Sequence, residues 1–415
     1  MTVYSNEREM KLQEIIELEK VLNDIQDIDV LLERILTESR RIVNADAGSI
    51  YVIEDNRLKI KYAQNDTKQR RLAPGQKLPF KYFSFEINEK SMCGSAVVTK
   101  SLLNVPDVYD IPSDKPYSFD RNPDMLTGYH SKSICTIPLM EGKGNVIGVL
   151  QIINPQDKDG NITSFNSDAE LFLTRFAATA AQALVRAKLT REMVMRMVEM
   201  AGFRDPKETG SHVNRVASFS VEIYDHWAFD HKIDKEEASK YRDSLRIAAM
   251  LHDVGKVGIS DLILKKPGKF TDEEYGVIKC HTLIGSLLFK NDASEIDRMA
   301  MDVALHHHER WDGNGYPGKV DTTTFELSNP EIHSLGSMSG EEIPLSARIV
   351  SVADVFDALS SARVYKEAWS REKVLTEMES QAGKQFDPAV IKAFFDALPM
   401  ITEIQRDLTD VPVSA

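Results

Sequence analysis

The sequence predicts a two-domain protein in which an α+β domain is joined by a long helix to an all-α domain. The chain has 415 residues, more than one hydrophobic core normally organises. Two β-hairpin signals fall in the first half, and strand-rich sequence stops near Ser167. An apolar pattern of helical period then runs for about forty residues. Almost everything after it is typical of helices and their loops.

The predicted α+β domain alternates helices with hairpins. Apolar residues recur at helical spacing from about residue 7 to residue 44 and predict helix there. The stretch "SIYVIEDNRLKIKYAQND" predicts a hairpin that turns at Asp55 and Asn56, and "CTIPLMEGKGNVIGVLQIIN" predicts a second hairpin. Because "SMCGSAVVTKSL" between them predicts a short helix, the order of elements is that of a domain built on an antiparallel sheet.

A long helix is predicted to leave this domain, with Ser167 as its N-cap, Glu170 completing a capping box and Pro206 ending it. Its apolar stripe is typical of a connector that pairs with a second copy as a coiled coil, which predicts a homodimer through this helix. The stripe comprises Phe172, Phe176, Leu184, Leu189, Val194 and Met197. The alternative interpretation is two ordinary core helices separated by a break.

The composition argues against several classes of partner. A formal charge of −13 disfavours nucleic acid and anionic membranes, although it leaves room for a small phosphate ligand. Cys93, Cys135 and Cys280 are too few for a disulfide framework and match no thiolate metal motif. The N-terminal stretch has no apolar signal core, and no run of 18 apolar residues occurs. We therefore expect a cytoplasmic protein with no membrane segment.

Histidines concentrate in the second half of the chain, where nine of the ten follow residue 210. They occur with carboxylates in apolar helical surroundings. The stretches are "KETGSHV" with Glu208 and His212, "LHDVGK" with His252, Asp253 and Lys256, "IKCHTLIG" with His281, "LHHHERWDGNGYPG" with His306, His307 and His308, and "VADVFDAL" with Asp354 and Asp357. Thr271 and Glu274 predict a capping box that opens the helix carrying His281.

This concentration of imidazoles and carboxylates predicts a metal centre. A single buried polar residue is usually a hydrogen-bonded core residue, but an unpaired buried carboxylate costs several kcal/mol. Six or more such residues in one helical domain are explained by cations. Imidazole and carboxylate without thiolate suit Fe, Mn, Zn or Co, and the ligands are too many for one ion. His252 and Asp253 diverge by about 100° on a helix, so the carboxylate can bridge two cations while Lys256 meets a phosphate oxygen.

The same motifs resemble the HD superfamily of metal-dependent phosphohydrolases. "LHDVGK", "HHERWDGNGYPG" and "VADVFDAL", in that order, resemble its HD-GYP subfamily, which hydrolyses the bacterial second messenger cyclic di-GMP. The resemblance covers about residues 195–400. It implies an HD-type helical bundle as the catalytic domain, over residues 204–400, followed by a tail at 401–415.

The resemblance also implies roles for individual residues. The implied metal ligands are Glu208, His212, His252, Asp253, His281, His307, His308 and Asp354. Glu208 and His212 match the additional pair that allows a third metal in some members, so two or three divalent ions are expected, iron or alternatively manganese. Asp253 and Lys256 are the implied catalytic residues. The implied substrate contacts are Lys256, Gly313, Tyr316, Arg363 and Lys366. His306 falls outside the motif and is expected to pack or to support a ligand.

Two further features accompany the GYP motif. In some members the GYP loop binds a partner protein, and the resemblance implies the same possibility here. The segment between Gly318 and Glu342 is longer than the corresponding connection in the family. It is interpreted as a solvent-exposed loop, with a lid over the site as the alternative.

The first half resembles a GAF sensory domain. The stretches that carry this resemblance are "LLERILTESRRIVNADAGSIYVIED", "SMCGSAVVTKSLLNVPDV" and the second hairpin. The implied domain covers residues 25–187 after an N-terminal helix at 1–24, and overlaps the connecting helix at 167–203. GAF domains bind many different ligands or none, so no ligand is assigned. We expect Cys93 and Cys135 to be buried core thiols, with a redox or attachment role as the alternative.

Together these observations and resemblances predict a GAF-regulated phosphodiesterase in which a metal-activated water attacks phosphorus and cyclic di-GMP is cleaved to pGpG and, by a second cleavage, to GMP. One alternative substrate is another cyclic dinucleotide such as cyclic GMP-AMP. A different alternative is a ligand-binding sensor or scaffold with little turnover. A nuclease is disfavoured by the acidic charge. Movement of the connecting helix would act on Glu208 and His212, a purely geometric route for regulation.

Overall fold

The computed structural model describes residues 2–72, 84–204, 210–290, 294–326, 330–361 and 369–408. The chain divides into two compact units, Met1–Thr190 and Arg191–Ala415. The first unit contains a sheet and helices, and the second is helical apart from one short ribbon. The predicted fold class, an α+β domain followed by a helical domain, is confirmed.

The first unit is built on a six-stranded antiparallel sheet with the strand order β3-β2-β1-β6-β5-β4. The strands are β1 Ala45–Glu54, β2 Arg57–Asn65, β3 Ser84–Glu86, β4 Leu103–Val105, β5 Ile134–Met140 and β6 Val146–Pro155. The helices are α1 Thr2–Asp24, α2 Ile28–Ile42, α3 Asp66–Gln69, α4 Met92–Thr99 and α5 Asn122–Thr127.

Both predicted hairpins and the short helix between them are confirmed. In the first hairpin Glu54 pairs with Arg57, so Asp55 and Asn56 form a two-residue loop. Their φ angles of 52° and 58° are those of the turn type that matches the twist of the flanking strands. The predicted helix after the first hairpin is α4, and the side chain of Ser91 caps it by accepting the N–H of Gly94.

The helical region predicted from residue 7 to residue 44 contains a break, because the chain forms two helices there, α1 and α2. The Asp27 side chain accepts the backbone N–H groups of Asp29 at 2.9 Å and Val30 at 3.0 Å. An aspartate that satisfies the first free N–H groups of a helix starts a new helix there. The apolar spacing continues across the break and conceals it.

The largest core of the first unit lies between helices and one face of the sheet, and smaller buried clusters lie elsewhere in the unit. Members of the largest core include Leu22, Leu36, Ile50, Leu150 and Phe176. Cys93 and Cys135 are both buried, as expected for core thiols, and burial raises the pKa of Cys93 to about 12.

Helix α6, Ser167–Gly202, is a single element of 36 residues, and the boundary between the units falls within it. Its N-cap is Asn166 rather than the predicted Ser167, because the Asn166 side chain accepts the N–H of Ala169 at 2.8 Å. Glu170 bonds to Asn104 at 2.6 Å instead of closing a capping box. Four members of the predicted stripe are buried within the chain's own cores and two are exposed: Phe172, Phe176, Leu184 and Val194 are buried, Leu189 and Met197 exposed.

The second unit is a bundle of helices. They are α7 Gly210–Asp230, α8 Lys235–Met250, α9 Asp261–Leu264, α10 Asp272–Lys279, α11 His281–Leu287, α12 Glu295–His306, α13 Leu345–Ser360, α14 Arg371–Ser380 and α15 Pro388–Asp407. Two 3-10 turns, Val254–Gly258 and Gly340–Glu342, and a ribbon of β7 Lys319–Val320 with β8 Ser334–Gly336 complete the unit. The ribbon is an addition to the predicted all-α domain.

Buried side chains from α7, α8, α12, α13 and α15 form the core of the bundle, among them Phe219, Leu245, Val303, Phe356 and Phe394. Of the helices in the described ranges, none combines the length and the apolar character needed to cross a membrane.

Candidate metal centre

Two groups of potential metal ligands converge in the second unit. The first group is Asp253, His281, His307 and His308, and the second group is His212, His252 and Asp354. Within each group, one potential ligand atom per residue lies within 4.8 Å of the others. The two groups contain every predicted metal ligand except Glu208, which lies outside the described residues.

Asp253 occupies the middle of the first group. Helix α8 ends at Met250, and the following turn presents the Asp253 carboxylate to histidines from two other helices. Its Oδ1 lies 3.1 Å from Nε2 of His281 and 3.6 Å from Nε2 of His307. Its Oδ2 lies 2.7 Å from Nζ of Lys256. The two carboxylate oxygens therefore face different partners, as a bridging ligand requires.

A close backbone contact brings the turn that carries Asp253 against α11. A Cβ at Gly255 would lie 2.0 Å from the carbonyl oxygen of His281 and 2.4 Å from the amide nitrogen of Gly285. No side chain fits there, so glycine is required between the aspartate and the lysine of "LHDVGK". This contact sets the distance between Asp253 and His281.

The helix that carries His281 differs from its prediction. The capping box of Thr271 and Glu274 is confirmed at the start of α10. However, α10 ends at Lys279 and α11 begins at His281, with a tight turn at Cys280 whose N–H donates to the carbonyl of Val277. His281 consequently lies at the start of a short, buried helix rather than in the middle of a long one.

Three imidazoles are held by main-chain carbonyls through Nδ1. The contacts are His252 to Ala249 at 2.8 Å, His281 to Ile278 at 2.7 Å and His307 to Val303 at 2.9 Å. Because a carbonyl only accepts, each Nδ1 carries the proton, and in a neutral ring Nε2 is left with its lone pair. Each of these rings is thereby oriented as a metal ligand.

These tautomers provide a test of whether the residues fit a cation. Nε2 of His281 and Nε2 of His307 are buried, and within the described ranges neither makes a hydrogen bond. Each faces the Asp253 carboxylate, so two electron-pair donors confront each other. Burial of unsatisfied acceptors is costly, and a divalent cation between them removes that cost. The donor set fits a metal.

The electrostatics of the first group agree with metal binding. Burial alone raises the pKa of Asp253, but Lys256 and His252 outweigh it and hold the pKa well below its usual range. Burial, together with the neighbouring imidazoles, lowers the pKa of His307 and holds that of His308 well below its usual value. An ionised carboxylate and neutral imidazoles are the protonation states that bind metal.

In the second group, His252 is held by the carbonyl of Ala249, but His212 is held in a different way. Nε2 of His212 lies 3.6 Å from Oδ1 of Asp354, while Nδ1 of His212 lies 2.8 Å from Oδ2 of Asp357. Arg215 donates to both oxygens of Asp357, at 2.6 and 2.9 Å. Burial raises the pKa of Asp357, yet His212 and Arg215 bring it below the usual value. The buried Asp357 carboxylate thus orients His212 as a ligand.

Sequence reasoning assigned no role to Asp357 or Arg215. Two local signals were available, since each lies three residues after a predicted ligand: Asp357 follows Asp354 on α13, and Arg215 follows His212 on α7. A buried arginine and a buried carboxylate at such positions can pair only with each other or with a ligand.

The two groups adjoin. The ring centroids of His212 and His252 are 5.8 Å apart, and those of His252 and His307 are 5.2 Å apart. The imidazoles therefore form one continuous cluster that joins the two groups. His306 is buried, with Nδ1 3.8 Å from Oε1 of Glu309, and belongs to neither group.

The predicted substrate residues are distributed unevenly. Lys256 bonds to Asp253, and the ring of Tyr316 lies 4.9 Å from that of His308, so both lie at the centre. Gly313 lies against the segment that follows the GYP motif, since a Cβ added to it would lie 3.2 Å from Cβ of Ser339. Arg363 and Lys366 lie outside the described residues.

The GYP loop is held in place by backbone contacts and by the carboxylate of Glu309. The Glu309 carboxylate accepts the N–H of Gly318 at 2.5 Å, and the N–H of Tyr316 donates to the carbonyl of His308 at 3.3 Å. A Cβ at Gly315 would lie 2.3 Å from the amide nitrogen of Arg310. These contacts fold the loop back onto the end of α12 and hold Tyr316 beside the histidines.

The long segment after the GYP motif is partly folded. Its two ends pair as the β7–β8 ribbon, and Phe325 and Ile332 pack against Ile259, Leu264 and Ile284. Leu335 remains 74% exposed. The segment is therefore anchored by two apolar side chains, and most of its other described residues are exposed.

Comparison with known domain families agrees with this architecture. Residues 27–184 match the GAF domain, residues 209–359 match the HD domain, and residues 336–390 match a second HD domain description. The chain contains a GAF domain and an HD domain. Both resemblances predicted from the motifs are confirmed, and the candidate metal centre lies in the HD domain.

Several proteins similar to this chain are named cyclic dinucleotide phosphodiesterases. A Vibrio cholerae cyclic di-GMP phosphodiesterase is 38% identical over 213 residues, 50% of this chain and 39% of that protein. The 3'3'-cGAMP-specific phosphodiesterase 2 of the same organism is 32% identical over 221 residues, 53% of this chain and 37% of that protein.

A Thermotoga maritima cyclic di-GMP phosphodiesterase is 35% identical over 221 residues, 53% of each chain. The present chain thus spans between 37% and 53% of the length of these three relatives.

Proposed function

We propose that this protein is a metal-dependent phosphodiesterase that hydrolyses cyclic di-GMP to pGpG, and to GMP where a second cleavage follows. The observation that carries the proposal is the convergence of Asp253 with neutral, carbonyl-anchored imidazoles whose Nε2 atoms face its carboxylate. The relatives named cyclic di-GMP phosphodiesterases support this substrate class.

The proposed centre holds two or three divalent ions, iron or alternatively manganese. Such ions, when bound, lower the pKa of a coordinated water and stabilise charge on phosphoryl oxygens. Asp253 would bridge the two groups of ligands through its differently directed oxygens. Glu208 is the proposed additional ligand beside His212, and Asp357 with Arg215 would keep His212 in its ligating orientation.

The remaining residues act on the substrate in this proposal. Lys256 shares a hydrogen bond with Asp253 and would offer its ammonium group to the phosphate during cleavage. Tyr316 and Gly313 would shape the pocket through the GYP loop. Arg363 and Lys366 are proposed to contact the substrate from the segment after α13.

The test is metal content and hydrolysis of cyclic di-GMP measured on the same anaerobically purified sample. We expect two or three Fe or Mn per chain together with release of pGpG or GMP. Asp253→Ala should lose turnover and disturb metal loading. A variant that keeps both full metal and full activity would refute the assignment of Asp253. Metal-loaded wild-type protein that leaves every cyclic dinucleotide intact would contradict the enzyme and favour a sensor or scaffold.

Cyclic GMP-AMP is a second candidate substrate, because one relative is named as specific for 3'3'-cGAMP. Initial rates for cyclic di-GMP and 3'3'-cGAMP, measured separately and in competition, distinguish the two. A kcat/KM that is higher for cyclic GMP-AMP would replace the first candidate by the second.

We further propose regulation by the GAF domain, a homodimer through α6 and a partner protein at the GYP loop. The homodimer is supported by apolar side chains that α6 leaves exposed, Leu189 at 55%, Met193 at 57% and Met200 at 61%. Light scattering of the wild type and of Met193→Lys tests this: a dimer that becomes a monomer supports the interface, and a wild-type monomer contradicts it.

A further inference from the structure

We infer that Tyr275 and Lys279 on α10 form a recognition surface for a nucleobase and a phosphate of the cyclic dinucleotide. This inference rests on the proposed function and deepens it, since neither residue is among the predicted metal ligands or substrate contacts. The two side chains lie on one face of the helix, four residues apart.

An aromatic path connects this surface with the metal centre. The ring of Tyr316 lies 4.9 Å from His308 and 6.5 Å from His281. The ring of Tyr275 in turn lies 6.5 Å from that of Tyr316 in an edge-to-face arrangement. Tyr275 is therefore the next ring outward from a residue that contacts the histidines. In a nucleotide one sugar separates the base from the phosphate. A base whose phosphate lies at the metal centre would therefore reach outward to a ring such as Tyr275.

The exposure of Tyr275 leaves it accessible to a ligand. It is 45% exposed, although aromatic side chains normally contribute their area to a core or an interface. Stacking of a base on an exposed ring gives about 1–3 kcal/mol per base and tolerates different bases. Tyr275 is thus suited to bind a purine without selecting its type.

Lys279 adds a positive charge at the same place. Its Nζ lies 4.7 Å from the ring centroid of Tyr275 and 5.2 Å from that of Tyr316. Of the carboxylates in the described ranges, none is within ion-pair distance of Lys279. Held between two rings, the ammonium group is placed by cation–π contacts and remains available to an anion. A cyclic dinucleotide carries two phosphates, so the one that is not cleaved needs such a partner.

Helix α10 holds this surface in place. The capping box of Thr271 and Glu274 fixes its first turn, and Lys266 bonds to the Glu274 carboxylate at 2.6 Å. The tight turn at Cys280 then joins α10 directly to His281. The recognition surface and a metal ligand consequently belong to one continuous stretch of chain.

The test compares the kinetics of three variants of the full-length, metal-loaded protein. Tyr275→Ala should raise KM for cyclic di-GMP about tenfold, the loss of roughly one stacked base, with kcat within about twofold of the wild type. Tyr275→Phe retains the ring and should restore the wild-type KM. Lys279→Met retains the aliphatic stem without the charge and should raise KM and weaken the dependence of KM on salt.

Three controls separate this surface from the metal centre. Metal content should be unchanged in every variant. Hydrolysis of methyl para-nitrophenyl phosphate, which has no nucleobase, should also be unchanged. Phe229→Ala removes another exposed ring of the second unit, 55% exposed, and should leave KM for cyclic di-GMP unaltered.

The outcomes distinguish the inference from the proposed function. If the wild type hydrolyses cyclic di-GMP and Tyr275→Ala leaves KM unchanged, or lowers kcat alone, the recognition surface is wrong while the enzyme assignment remains. If Tyr275→Phe is as defective as Tyr275→Ala, stacking is not the interaction. If metal-loaded wild type hydrolyses no cyclic dinucleotide, the proposed function fails first.

Discussion

The histidines of the metal centre are supported by two different kinds of contact. His281 and His307 of the first group, and His252 of the second, are each oriented by a main-chain carbonyl three or four residues earlier in the chain. In the second group, His212 is oriented by Asp357, 145 residues away in sequence, which Arg215 holds in turn. The first arrangement is local, whereas the second depends on the packing of α7 against α13. Variants should therefore affect the two groups unequally.

The largest difference is expected when one ligand is removed from each group. His281→Ala should abolish turnover, because it removes a ligand on which the Asp253 side of the centre depends. His212→Ala should reduce the metal bound per chain while the first group retains its ions. Metal analysis and rates measured on the same samples would check this. Equal loss of metal in both variants would show that the two groups bind as one unit.

The next largest effect is expected for a substitution at Gly255, whose backbone contacts α11. Gly255→Ala places a methyl group 2.0 Å from the His281 carbonyl and should lower the free energy of unfolding by about 1–3 kcal/mol or more. The displacement should also reduce metal binding by the first group. Denaturant unfolding and metal content give the two readouts.

Gly276→Ala is the matched control for this substitution, since a Cβ there meets nothing within 4 Å. In the interior of α10 it should raise stability by about 0.5–1 kcal/mol. If Gly255→Ala behaved in the same way, the close approach of the two backbones would not be a constraint.

A smaller and more selective effect is expected for Asp357→Asn. The variant keeps the shape of the side chain but removes the charge that orients His212 and pairs with Arg215. Loss of such a support typically weakens metal affinity about 10–100-fold, and here the loss should be confined to the second group. Metal titration with a competing chelator separates the weak and tight sites. A single, unchanged affinity would contradict the role of Asp357.

The smallest effect is expected for a substitution that lies outside both groups of metal ligands. Asp27→Ala removes the cap of α2 in the first unit and should cost about 0.5–2 kcal/mol, measured as a lower midpoint of unfolding. Metal content and turnover of the folded protein should not change. Altered metal binding in this variant would mean that the first unit influences the centre.

The metal ligands could be predicted because their chemistry is local. His252 and Asp253 are neighbours, His307 and His308 are neighbours, and each pair lies beside glycine-containing motifs that resemble a known family. The hairpin at Asp55 and Asn56 is local in the same sense. The errors were local as well. Asp27 caps a helix at a position where the apolar spacing continues, and Asn166 caps a helix where the next residue, Ser167, is an equally good cap.

The sequence by itself determined the fold class, the residue types of the centre and the expectation that cations organise them. Only the tertiary structure decided that Asp253 lies 3.1 Å from His281, that Asp357 and Arg215 support His212, and that Tyr275 lies beside Tyr316. The physical reason is that spacing along the chain governs turns, caps and helix faces. Contacts between distant residues depend instead on how closely the backbones of different helices can approach, and at Gly255 that approach is set by the absence of a single Cβ.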